Sequence, residues 1–136
     1  MQKQYRMQNK TFDTDYVTAQ CVDGIVEVQY KEDVYITLRE AEYIVKERLK
    51  FFGNEKYPCL LRSSRLKGIN RAGRNYFFGE GLVNLLALAL VPKNKVEKML
   101  TTILVTFERP KIPCRVFKSH DEARGWLKQY IKESHV

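Results

Sequence analysis

The stretch LLALALVPKNKVEKMLTTILVTF, residues 85–107, reads as a strand followed by a helix. Its first seven residues are apolar without interruption, the length and composition of a strand covered on both faces. Pro92 closes the run, and Asn94 can cap a helix. Val96, Met99, Leu100, Ile103, Leu104 and Phe107 then keep the helical period. A strand–turn–helix unit of this kind is the building block of an α/β domain, so the reading turns on whether the flanks repeat it.

They do. Upstream, YPCLLRS gives a strand near residues 58–63, and NRAGRNYFFGEGLV gives a helix with Asn70 as its N-cap. Gly73, Gly79 and Gly81 weaken that helix by up to ~1 kcal/mol each relative to Ala. Downstream, ERPKIP breaks the pattern, CRVF gives a last strand, and SHDE (119–122) forms a capping box. Ala123, Trp126, Leu127, Tyr130 and Ile131 follow it at i, i+3, i+4, i+7 and i+8.

Toward the N-terminus, YVTAQCVDGIVEVQY (16–30) alternates on both sides of Asp23-Gly24, the strongest short-range signal for a hairpin. After VYI, the capping box TLRE (37–40) opens a helix with Leu38, Ala41, Val45, Leu49 and Phe52 on one face. Gly53-Asn54 ends it in the manner of a left-handed cap. Residues 1–10 are polar and aperiodic, and read as frayed or as an edge extension. The predicted fold is α/β: an N-terminal β-hairpin, then βα units, with a small mixed, mainly parallel sheet, about four helices and right-handed crossovers. No repeat or linker interrupts residues 1–136, so one domain is expected.

A chain of 136 residues with 44% hydrophobic content can bury a single core. The apolar run at 85–91 is far shorter than the roughly 20 residues that span a bilayer. No basic-then-apolar leader opens the sequence, so the cytoplasm is the expected compartment. Cys21, Cys59 and Cys114 are widely spaced in β-like runs and read as reduced core thiols. Neither His120 nor His135 lies at ligand spacing from a cysteine, so no metal site and no cofactor is expected. The formal charge of +8 favours anionic partners, but the Lys and Arg residues are dispersed and no nucleic-acid-binding motif accompanies them.

The order of elements resembles the STAS fold of anti-sigma-factor antagonists, and in topology the CRAL-TRIO lipid-exchange domains. The segments ALALVPKNKVEKML and RPKIPCRVFKSHDEARGWLKQYI are similar to a group of small, uncharacterised bacterial STAS-like proteins, over roughly residues 20–132. In STAS switches a segment reading approximately Asp-Ser-Ser-Gly places a phosphorylated serine at the mouth of a helix. The matching residues here are Asn70, Arg71, Ala72 and Gly73. The resemblance therefore implies a regulatory or protein-binding module whose phosphoacceptor serine has been replaced. Ser63 and Ser64 lie too early to stand in for it.

The junction LLRSSRLKGINRAGRNYFF (60–78) also concentrates basic residues where a strand ends and a helix begins. Arg62, Arg65, Lys67, Asn70, Arg71 and Arg74, enlarged by Lys93 and Lys95, form a candidate site for an anion or a protein partner. Solvated loop charge is the plainer reading of the same residues. Tyr76, Phe77 and Phe78 read as core packing, with at least one ring expected to be exposed at a dimer contact or to wall an apolar pocket, since helical neighbours point about 100° apart. The second functional reading is thus a carrier of a lipid or small anionic metabolite with a cationic pocket mouth. No nucleophile elbow, Walker loop or dinucleotide fingerprint is present, and no histidine neighbours Ser63 or Ser64 in sequence. No enzymatic activity is expected, and His120, Asp121 and Glu122 read as the start of a helix.

Overall fold

A computed structural model describes residues 10–63 and 66–131. Residues 1–9, Ser64, Arg65 and His135 lie outside this range. The alternating stretch at 16–30 folds as the hairpin β2 (Val17–Val22) and β3 (Ile25–Tyr30), paired from Val17↔Tyr30 to Val22↔Ile25. Asp23 at φ 51° and Gly24 at φ 84° both occupy the left-handed region that a two-residue hairpin turn requires. A short strand, β1 (Thr11–Asp13), adds antiparallel to the outer edge of β2.

The rest alternates strand and helix as β4 (Val34–Ile36), α1 (Leu38–Phe52), β5 (Tyr57–Arg62), β6 (Leu66–Ile69), α2 (Arg71–Phe77), β7 (Leu85–Val91), α3 (Lys95–Glu108), β8 (Cys114–Val116) and α4 (His120–Ile131). Six strands form one sheet in the order β1-β2-β3-β5-β7-β8. Its β3-β5-β7-β8 half is parallel and its β1-β2-β3 wing antiparallel. The short strands β4 and β6 pair with each other in a separate parallel ribbon.

β7 shows why a continuous apolar run is needed here. Leu88 and Leu90 enter one core with residues of α1, while Ala87, Ala89 and Val91 enter a second with Ala123 and Leu127 of α4. The sheet is therefore covered on both faces, and all residues from Ala87 to Val91 are buried. The outer strand β2 buries only one face: Ala19 and Cys21 point to the α1 core while Thr18 and Gln20 stay exposed.

Three local expectations are corrected. The helix read across 70–83 stops at Phe77; Gly79 sits at φ −118°, ψ −106°, and Glu80–Leu82 form a 3-10 turn. Gly53 ends α1 with φ 65° but ψ −138°, outside the left-handed helical well. The buried face of α1 is Ala41, Ile44, Val45, Arg48 and Phe52, with Leu38 turned to solvent.

Candidate functional site

The mouth of α2 is built by the β4–β6 ribbon. The register Ile36↔Ile69 sets the two strand ends side by side, and Asn70 N–H donates to the Ile36 carbonyl at 2.9 Å. The starts of α1 and α2 are thereby locked together. Gly73 makes the approach possible, because a Cβ there would lie 3.1 Å from the Thr37 carbonyl oxygen and 3.2 Å from that of Ile36. Asn70 caps the helix by accepting the Gly73 N–H on Oδ1 at 2.8 Å. At the start of α1, the Glu40 carboxylate accepts the Thr37 N–H at 2.8 Å and the Thr37 hydroxyl. Residues 70–73 offer no hydroxyl, and the Asn70 side chain is already committed.

The basic residues around this mouth separate into groups. Lys67 on β6 and Arg71 at the start of α2 are exposed. Arg62, at the end of β5, is exposed opposite Val91. Arg62 also lines an open depression of about 210 Å³ with Thr18, Gln20, Glu27 and Gln29 on the uncovered face of the antiparallel wing. Arg74 points elsewhere: its Nε is 3.6 Å from Glu108 Oε2 at the end of α3, pairing it with neither Glu80 nor Glu97. Lys93, just before α3, lies 3.8 Å from Glu97 in its first turn, and Lys95 is exposed. Arg65 lies outside the described residues.

Tyr76, Phe77 and Phe78 are all partly buried against the α1-side core, so none supplies the exposed ring expected at this position. The reason is the early end of α2: Phe78 is already its C-cap, and the chain turns before the third ring can swing outward. Phe77 does border an apolar cleft of about 70 Å³, together with Tyr30, Ile44, Arg48, Leu82 and Leu85.

Two clusters of charge were not legible as such. Arg48 is 5% exposed; it donates to the Tyr57 hydroxyl at 2.8 Å and to the carbonyls of Gly81 and Val83 at 2.9 Å each. It pins α1 to the turn that enters β7. On the other face, Glu27 of β3 receives Arg124 of α4, and His120 Nε2 lies 3.0 Å from Glu27 Oε1. Arg124 also donates to the Val22 carbonyl at 3.0 Å. His120 thus belongs to a structural clamp, and Ser119 Oγ caps α4 by accepting the Glu122 N–H at 3.2 Å. The cysteines are free thiols. Burial pushes the Cys59 and Cys114 thiols up to about 12, and raises Cys21 too. Among the described residues, no group of three His, Cys, Asp or Glu side chains could hold a metal ion, and no helix is long and apolar enough to cross a membrane.

A hairpin leading into βα units and helices on both faces of a mostly parallel sheet give the chain a SpoIIAA-like fold. A crystal structure of an uncharacterised protein of the DUF3478 family with a SpoIIAA-like fold, from Shewanella loihica PV-4, is similar over 87% of this chain and 90% of its own, with a TM-score of 0.56 and 11% identity. At that identity the likeness concerns the fold alone. The chain belongs to the family described as Domain of unknown function (DUF7793), whose sequence profile matches residues 19–131. No curated protein matches the chain.

Proposed function

We propose that the domain is a non-enzymatic regulatory module of the STAS type that binds a protein partner without control by a phosphoserine. The observation that carries this reading is the closed mouth of α2, where Asn70 takes the Gly73 N–H and residues 70–73 present no hydroxyl. Exposed Lys67, Arg71, Lys93 and Lys95 on a chain of net charge +8 favour an acidic partner surface. The non-enzymatic reading is supported by the engagement of His120 with Glu27 and of Ser119 with its helix, which leaves neither poised as a base–nucleophile pair.

Incubation with lysate from the source cells and ATP, followed by mass spectrometry, should leave the 63–74 peptide unmodified. Phosphate on that peptide overturns the missing switch. Separately, Lys67→Glu with Arg71→Glu and Lys93→Glu should release the partner bound by the native chain while the melting temperature holds. Undiminished capture would remove the basic surface from the proposal.

The carrier reading receives less support. The cleft beside Phe77 holds about 70 Å³, against the ~300–1,000 Å³ of pockets that enclose small molecules. Native mass spectrometry of protein purified from cells discriminates the two: a co-purified lipid or metabolite would favour the carrier.

A further inference from the structure

Helix α3 is turned inside out. Its apolar stripe faces solvent, with Val96 63%, Met99 58%, Leu100 56%, Ile103 51% and Phe107 82% exposed, and no residue of the helix is buried. The side toward the body carries Glu97, Thr101, Leu104, Val105 and Glu108, and only Val105 of these joins the core periphery. Glu97 Oε2, on that side, has no hydrogen bond among the described residues and only the Lys93 ammonium at 3.8 Å. Residues 99–107, MLTTILVTF, contain no charge in a chain that is 29% charged.

We infer that this face is a two-fold interface between two copies of the chain, with α3 antiparallel to its counterpart. The stripe is large enough to matter: at the ~150–250 Å² that a big side chain presents, the exposed fractions amount to roughly 600 Å² per copy. That reaches the upper end for the largest patch on a monomer, about 300–600 Å², and approaches the ~800 Å² per partner of a stable complex. The flanking threonines supply more area without cost in hydrogen bonds. Thr102 Oγ1 already donates to the Lys98 carbonyl at 2.7 Å, and Thr106 Oγ1 to the Thr102 carbonyl at 2.9 Å.

Self-complementarity selects the occupant. Centred between Thr101 and Thr102, an antiparallel pair sets Val96 of one copy against Phe107 of the other and Leu100 against Ile103. Small then meets large at each end, and the opposed helix dipoles attract. An acidic partner would find its complementary charges on Lys67, Arg71 or Lys93, and gains nothing from an uncharged stripe. Two chains of net charge +8 repel one another, and a contact through an uncharged stripe brings the fewest like charges together. This interface is separate from the basic surface of the proposed function, and replaces the α2 aromatics as the place where copies would meet.

Sedimentation of the full chain at micromolar concentration should give a species of about 32 kDa, twice the 16.0 kDa of one copy. Raising the salt from about 0.1 to about 0.5 M should strengthen it, because the repelling basic charge is screened. Ile103→Glu sets two carboxylates near the two-fold axis and should weaken association at least about 100-fold. Phe107→Glu, at the most exposed position of the stripe, repeats the test if the first variant melts abnormally. Ile103→Cys should yield a covalent dimer under mild oxidation. A 16 kDa species at every concentration overturns the interface, as does a dimer indifferent to both glutamates. Monomers that bind phosphatidylcholine vesicles through these same residues would assign the stripe to lipid instead.

Discussion

Arg48 is the residue on which the route from α1 to β7 depends. Its guanidinium satisfies the Tyr57 hydroxyl and two backbone carbonyls at once, inside the core. Arg48→Met keeps the length but leaves three buried acceptors without that donor, and should cost about 3 kcal/mol in urea denaturation. Arg48→Lys should not restore the loss, because an ammonium cannot place three bonds in the plane of the fork. Cys59 and Tyr57 make a second prediction, in pH. Burial raises both groups, Cys59 from 9.0 and Tyr57 from 10.0, each to about 12. Because the folded values lie above the unfolded ones, their stabilisation is complete below about pH 9 and is lost as pH rises toward 12. The urea midpoint should therefore hold from pH 7 to about 8.5 and then fall, and Cys59→Ala should lessen the first part of that fall, the rest of which Cys114 and Cys21 share.

At the scale of elements, the junction between β6 and α2 decides the sign of a glycine replacement. Gly73→Ala gains up to ~1 kcal/mol of helix propensity, yet its Cβ would press on two backbone oxygens and the Asn70 cap. The ribbon cannot yield without breaking the Asn70–Ile36 bond, so the net effect should be a loss of about 1–2 kcal/mol in chemical denaturation. The clamp between β3 and α4 behaves differently. Glu27→Ala strands Arg124 and frees His120, and should lower stability by about 2 kcal/mol, whereas Thr18→Ala on the open wing should be nearly silent. These elements also show how far a sequence can be read. The Asp-Gly hairpin, the run at 85–91 and the caps at Asn70, Asn94 and Ser119 carry their structure in neighbouring residues, and each was legible. Arg48 was not, since one arginine beside an apolar stripe looks like its solvent border. The pairing of β4 with β6 joins three- and four-residue strands 30 positions apart and leaves no local pattern. Of the candidate site, the Asn70 cap and the missing hydroxyl could be read, but the turning of Arg74 toward Glu108 could not. Periodicity grouped Val96, Met99, Leu100, Ile103 and Phe107 of α3 on one face, wrongly adding Leu104, which turns toward the body, and it did not reveal which way that face points.

The molecule as a whole pairs a deeply anchored strand with a helix attached almost at its margin. β7 is buried on both faces, while α3 rests on the edge strand β8 and offers the core little beyond Val105. Such a difference in anchoring makes a difference in the rate at which backbone amides trade hydrogen with solvent. Deuterium uptake should run through α3 by local opening long before it reaches β7, whose amides need the whole domain to come apart. If two copies close over the helix, that early uptake should slow as protein concentration rises, while β7 keeps its own pace. Isotope exchange across a dilution series would thus report on the weakest-held helix and on its cover in a single measurement.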